Sequence, residues 1–272
     1  MTASQPLFTF RQIPVVASML AEHRIALADV MRAAGFAESA PGEITAPLAK
    51  VRSVLELAAE RVGASHFGLD LADRIPEGAY GVTEFVVRSA PTVRAALTAL
   101  CELAPLVNPA LDMRYLAQPH GCEVRLAYAG ARDVLGELLN EYSIAYVAKQ
   151  FRAVLDGPLP LASAWFAHAR KHGREEVERR LGCAVVFGAG DCGFAVASDV
   201  IARPIPSANP PLHAYLIAQA RAQLANLAPH DVIAQVTRAI EARLAGGDLG
   251  AAAIARALET SQRSLQIGRA HV

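Results

Sequence analysis

The residue pattern with the most specific chemistry lies near the end of the sequence. Ala255, Leu258 and Leu265 have the spacing that two crossed helices need in order to share a small core. Ser261 lies where a hydroxyl would cap the second of these helices. The spacing therefore predicts a helix-turn-helix. The side chains left outside its core are Thr260, Gln262, Arg263 and Gln266.

These outward side chains have the chemistry of DNA contacts. A glutamine amide can pair with an adenine edge, an arginine with guanine or phosphate, and a hydroxyl with phosphate. Because a recognition helix inserts by its N-terminal end, we expect Thr260, Ser261, Gln262, Arg263 and Gln266 to contact DNA. The alternative is a small all-α packing module without DNA contact. Residues 229–266 hold as many acidic side chains as arginines, so local charge favours neither.

Composition limits the classes of protein that remain. The 272 residues are 53% hydrophobic and 19% charged, which excludes a disordered chain. Lys plus Arg and Asp plus Glu are both 26, so the net charge gives no support for a nucleic-acid partner. Four scattered cysteines without a C-x-x-C pair predict reduced thiols and a cytoplasmic protein. The apolar run 13–21 is interpreted as an amphipathic helix, and no segment is long enough to cross a membrane.

Other motifs resemble catalytic or cofactor sites without their context. Gly188–Gly193 matches G-x-G-x-x-G, but an alternating strand pattern follows where a dinucleotide site needs a helix, so a turn between two strands is expected. His168 and His172 lack the glutamate of a metalloprotease motif and are expected to be solvated. Glu137 and Glu141 are likewise expected on solvated faces. We predict no catalytic residue, no metal site and no cofactor.

Hydropathy periodicity predicts the elements that position these residues. Apolar spacing favours helices over 14–23, 26–34, 47–62, 67–72, a segment after 91, 133–155, 174–181 and 212–226. The first 75 residues are thus predicted to be helical. Alternation favours a hairpin over 111–128 and strands near 163–167, 184–187 and 194–197. The order predicts an α+β fold, in which helices are followed by an antiparallel sheet with helices interspersed.

An internal pocket is expected between this sheet and the long helix 133–155. Tyr142, Tyr146 and Trp165 are candidate lining residues because their rings combine apolar area with a polar group. The same three residues are more simply interpreted as core aromatics.

Residues 252–266, Ala-Ala-Ile-Ala-Arg-Ala-Leu-Glu-Thr-Ser-Gln-Arg-Ser-Leu-Gln, resemble the first helix-turn-helix of AraC-type (AraC/XylS) transcriptional regulators. Ala255, Leu258, Ser261, Arg263, Leu265 and Gln266 fall on that family's pattern. The upstream chain is similar to the subgroup with an arabinose-binding-like sensory domain. The passages that carry this likeness are 80–92, 111–128 and 182–204.

The resemblance implies a bacterial regulator in which a small molecule bound to the N-terminal domain controls sequence-specific binding of operator or promoter DNA. Residues 1–228 would form the ligand-sensing domain, and 229–266 part of the DNA-binding domain. A homodimer and RNA polymerase are further partners that the resemblance brings into consideration, whereas a membrane is not. The alternatives are a stand-alone ligand-binding or dimerisation module that lacks DNA binding, and an enzyme with a dispersed site.

The family's DNA-binding domain holds two helix-turn-helix units, and only part of the first is recognisable here. Ile267 stands where the pattern has arginine, and residues 267–272 match no part of it. We therefore expect 267–272 to be a non-native tail and the helix-turn-helix domain to be incomplete. A DNA-binding domain that keeps only one of its two helix-turn-helix units would lose much of its contact with phosphate. The chain as written is therefore expected to bind its operator weakly or not at all.

Overall fold

The computed structural model describes residues 7–37, 42–128, 135–155, 157 and 159–227. The chain divides into two compact units, Met1–Ala222 and Gln223–Val272. The predicted helix-turn-helix and the tail 267–272 lie outside the described residues. All that follows on the candidate site concerns the first unit.

The N-terminal part is built mainly from helices around one core. Strand β1 (Leu7–Phe10) is followed by α1 (Ile13–Glu22) and α2 (Leu27–Ala33), then by β2 (Ile44–Pro47), α3 (Leu48–Val62) and α4 (Phe67–Arg74). On α3 the buried side chains Val51, Val54, Leu55 and Ala58 recur at helical spacing. Gly63 ends the helix in the left-handed conformation, with φ +71°, as its position in the sequence predicts.

Strands β1 and β2 correct the prediction that this part is entirely helical. They pair antiparallel, with Phe10 opposite Ile44 and Leu7 opposite Pro47. Each strand has only four residues, which is too short for an alternating pattern to stand out. The pairing buries Phe10, Ile44 and Ala46 in the helical core.

The second part is a five-stranded sheet with its helices. After α5 (Val82–Ser89) and α6 (Val93–Val107) come β3 (Leu111–Gln118), β4 (Gly121–Tyr128), α7 (Gly136–Val154), β5 (Leu161–Phe166), α8 (Arg174–Leu181), β6 (Ala184–Phe187), β7 (Cys192–Ala197), α9 (Ser198–Ile201) and α10 (Pro210–Leu227). The predicted hairpin is confirmed as β3 and β4, which pair from Leu111 opposite Tyr128 to Gln118 opposite Gly121. The predicted α+β class is confirmed.

The strand order β3-β4-β7-β5-β6 refines the prediction of an antiparallel sheet. The outermost pair, β5 and β6, is parallel, and α8 connects these two strands. The loop 188–191 does join two strands, β6 and β7, as predicted, but β5 lies between them in the sheet. Because β7 rather than a helix follows this loop, it has no helix N-terminus to face a pyrophosphate.

The long helix α7 belongs to both hydrophobic cores. Near its start, Leu139 and Tyr142 pack in the core of the N-terminal helices. Further along, Ile144, Val147 and Phe151 pack in the core between the sheet and its helices. The junction of the two cores therefore lies along α7, and the candidate site is found there.

Candidate functional site

A cavity of about 100 Å³ lies where the two cores meet. Its wall is formed by β1, α5, α6, the β3–β4 hairpin and α7. A single water needs roughly 10–15 Å³ on this scale, so the cavity has room for several waters or a small organic molecule. Most of the wall is apolar, and its hydrophobic members include Phe8, Phe10, Val87, Leu100, Ala104, Val107, Leu111, Met113, Leu126, Leu135, Leu139, Val147 and Phe151.

Two of the three aromatic residues predicted from the sequence line this cavity. Tyr142 and Tyr146 are successive members of one face of α7, and their rings are stacked with centroids 6.0 Å apart. Tyr80, which the sequence analysis missed, completes the group. Its hydroxyl hydrogen-bonds the Tyr142 hydroxyl, and its ring centroid lies 4.7 Å from that of Tyr146.

A buried carboxylate anchors the tyrosine group. Glu84 on α5 is 3% exposed, and it accepts a hydrogen bond from the Tyr146 hydroxyl at 3.1 Å. The other Glu84 oxygen accepts from the Gly78 amide at 2.8 Å and lies 3.1 Å from the Arg88 guanidinium. The charge of Glu84 is thereby balanced by Arg88. Sequence analysis missed Glu84 because the helix that carries it, α5, was not predicted.

The phenols stay protonated at neutral pH. Burial raises the pKa of Tyr80 to about 12 and raises the pKa values of Tyr142 and Tyr146 above their ordinary range. A protonated phenol donates one hydrogen bond and accepts others. The arrangement can therefore bind an uncharged oxygen or nitrogen group, and nothing in it activates a nucleophile or a base.

Trp165 does not line the cavity. It lies on β5, where its indole Nε1 donates to Asp191 Oδ1 at 2.7 Å. Its ring packs against Gly193, so closely that a Cβ at this glycine would come within 2.6 Å of the ring. Asp191 also pairs with Arg125 at 3.0 Å. Trp165 thus fastens β5 to the loop before β7.

A second buried cluster corrects the prediction that His168 and Glu141 are solvated. The Glu141 side chain is fully buried, and that of Arg170, which bonds it, is 3% exposed. His168 Nε2 lies 3.3 Å from Glu141, and its ring packs between Phe166 and Phe187. The sequence did contain an indication that Glu141 is buried, because this residue falls within the apolar stripe of α7 next to Tyr142. The cluster holds the loop after β5 against α7.

The predicted DNA-contacting residues Thr260, Ser261, Gln262, Arg263 and Gln266 lie outside the described residues. The same holds for the predicted helix-turn-helix core residues Ala255, Leu258 and Leu265. They remain predictions.

The model of the arabinose-binding domain at the N-terminus of AraC transcription regulators matches residues 25–205. The chain belongs to this AraC family. The match extends along the chain from α2 to α9. It therefore includes the elements that form most of the cavity wall. The resemblance noted from the sequence is confirmed.

Among the curated relatives is the HTH-type transcriptional regulator VirS of Mycobacterium tuberculosis, which is 31% identical over 160 residues. These residues are 58% of this chain and 47% of VirS, so the match spans about half the length of that relative. A solved structure, that of the transcriptional regulator CdpR from Pseudomonas aeruginosa, covers 92% of this chain and 75% of its own at 16% identity, with a TM-score of 0.49. VirS is named as a regulator of transcription.

The described residues lack two kinds of feature. No group of three or more His, Cys, Asp or Glu side chains in the described part could hold a metal ion. No helix there is long and apolar enough to cross a membrane.

Proposed function

We propose that this protein is a transcription regulator whose N-terminal domain binds a small-molecule effector in the cavity along α7. Residues 229–266 supply part of the helix-turn-helix that contacts operator DNA. Effector binding favours one arrangement of the protein, and that arrangement changes occupancy of the promoter. A homodimer and RNA polymerase are the further partners that such a mechanism would use.

The observation that carries this proposal is the position of the cavity. Most of its wall lies in the part of the chain that matches the family's arabinose-binding domain, and five separate segments bound it. A ligand in it would contact β1, α5, α6, the hairpin and α7 at once. Because a buried ligand stabilises only the conformation that encloses it, these contacts supply the differential affinity that regulation requires.

The DNA-binding half of the proposal rests on residues 252–266 and their family pattern. Arg263 would contact guanine or phosphate, and Gln262 and Gln266 would contact base edges. Ser261 and Thr260 would bind phosphate at the helix N-terminus. A residue that contacts a base contributes to sequence discrimination, whereas one that contacts only phosphate changes affinity for all sequences alike.

Replacing Arg263 by alanine is expected to weaken binding to a selected DNA sequence. The purified chain would be used to enrich binding sites from a random DNA library at low salt, where phosphate contacts are strongest. Loss of one arginine contact to a base costs about 1–3 kcal/mol, or roughly 5- to 150-fold in Kd. Fluorescence anisotropy with the enriched sequence would measure this loss.

The matched control is Arg238→Ala, which removes the same charge from the same region outside the predicted recognition helix. Its Kd should change by less than about threefold. If both variants weaken binding of the enriched sequence equally, the protein does not recognise DNA through these residues. The alternative of a ligand-binding or dimerisation module without DNA binding would then replace the proposal.

A further inference from the structure

We propose that the cavity along α7 selects an uncharged, largely hydrocarbon ligand with one hydrogen-bonding group, and that it excludes both sugars and carboxylates. This inference rests on the proposed effector site and names the class of its ligand. Two observations support the inference. One is the set of polar side chains in the cavity wall, and the other is that the two charged residues of the wall, Arg11 and Glu84, already have partners of opposite charge.

The apolar wall excludes a polyhydroxylated ligand. Each sugar hydroxyl needs a hydrogen-bond partner when it leaves water, because a buried hydroxyl without a partner costs about 1–3 kcal/mol. The wall is dominated by aliphatic and phenylalanine side chains from β1, α5, α6, the hairpin and α7. The polar side chains that remain are too few to satisfy a molecule with a hydroxyl on nearly every carbon.

The polar side chains free to bind a ligand are all uncharged. Gln12 is 5% exposed and Thr83 is 3% exposed; both line the cavity, and the side chain of neither bonds another described residue. Tyr80 and Tyr142 share one hydrogen bond between their hydroxyls, which uses only one of their two hydrogens. One phenolic donor, the Gln12 amide and the Thr83 hydroxyl are therefore left to face a ligand. The uncharged amides of Asn108 and Gln150 also line the cavity, and Asn108 Oδ1 is buried without a hydrogen-bond partner among the described residues.

The charged residues in the wall already have partners of opposite charge. Glu84 is paired with Arg88 and accepts two further hydrogen bonds. Arg11 lies 3.4 Å from Glu43 and donates to the Val107 carbonyl at 2.7 Å. A charged ligand would have to displace Glu43 from Arg11 or be buried beside Glu84 without a counter-ion, and each adds a cost that a neutral group does not have.

The test is a matched set of probes titrated into the full chain by isothermal calorimetry. The probes are 4-methylphenol, toluene, 4-methylbenzoate and L-arabinose, which compare a hydroxyl, no polar group, a charge and a polyol. We expect 4-methylphenol to bind at least threefold more tightly than toluene, because it adds one hydrogen bond. 4-Methylbenzoate should bind at least tenfold more weakly than 4-methylphenol, and L-arabinose should give no heat of binding.

A double variant, Tyr80→Phe/Tyr142→Phe, connects the preference to the cavity. It removes both hydroxyls and keeps both rings, so affinity for 4-methylphenol should fall about 3- to 10-fold while that for toluene stays unchanged. A general loosening of the fold would reduce both affinities together. Circular dichroism would verify that the variant is folded at the temperature of the titration.

The outcomes separate the ligand class from the proposed function. If 4-methylbenzoate or L-arabinose binds more tightly than 4-methylphenol and the double variant weakens that binding, the uncharged, largely hydrocarbon class is wrong and the cavity remains the effector site. The inference would be overturned if the double variant lost affinity for 4-methylphenol and toluene equally, or if no probe bound to the protein. The proposed DNA recognition is tested separately, since the enrichment of a DNA sequence does not depend on these probes.

Discussion

Replacing Arg170 by methionine is expected to lower the free energy of unfolding by about 3–5 kcal/mol. The Arg170 guanidinium bonds the buried Glu141, lies 2.8 Å from Glu137 Oε1, and donates to the Ser65 and His172 carbonyls at 2.7 and 2.9 Å. Methionine fills much of the same volume but supplies no donor. Among the described residues, the fully buried Glu141 carboxylate would keep only His168 as a neighbour within hydrogen-bond distance. Urea denaturation followed by circular dichroism measures the loss.

The control for this prediction is Arg179→Met on α8. The Arg179 side chain is 68% exposed and pairs with Glu176, so its loss should leave the stability nearly unchanged. The double variant Arg170→Met/Glu141→Leu should recover at least half of the stability lost in Arg170→Met, because it removes the charge that was left alone. A buried ion pair would be contradicted if Arg170→Met and Arg179→Met lowered the stability equally. It would also be contradicted if the losses caused by Arg170→Met and Glu141→Leu simply added in the double variant.

Replacing Gly68 by alanine is expected to destabilise the protein by about 3 kcal/mol, at the upper end of the range for overpacking. A Cβ at this position of α4 would lie 2.3 Å from the Leu138 carbonyl oxygen at the start of α7. The obstacle is backbone, so the two helices must separate. Alanine favours a helix over glycine by about 1 kcal/mol, and the loss is expected despite that preference. Thermal and urea denaturation would measure it.

Gly190→Ala is the matched control, since a Cβ there meets nothing within 4 Å. It should be neutral or slightly stabilising, because alanine restricts the unfolded chain. In Gly68→Ala the displaced α7 would also move Tyr142 and Tyr146, so affinity for 4-methylphenol should fall with stability. A Gly68→Ala protein as stable as Gly190→Ala would mean that α4 and α7 do not pack as closely as the structure places them.

Elements that have a recognisable pattern within their own residues could be predicted from the sequence alone. Helix α8 was predicted with its observed bounds, because Gly182 marks its end and charged residues fill its length. The hairpin of β3 and β4 was predicted because eight-residue strands repeat their alternation long enough to be recognised. The strands β1 and β2 were missed because four residues leave few repeats of an alternating pattern. Helix α5 was missed although it is as long as α8, because its valine and threonine residues favour a strand.

The site divides in the same way. The sequence placed Tyr142 and Tyr146 on one face of α7, because helical periodicity relates residues four positions apart. Three contacts could be seen only in the folded structure. Tyr80 hydrogen-bonds Tyr142, and Tyr146 hydrogen-bonds Glu84. Trp165 bonds Asp191 away from the cavity. The two cavity pairs are each separated by 62 residues. Periodicity shows which face of an element is buried, whereas packing between elements decides which side chains meet there.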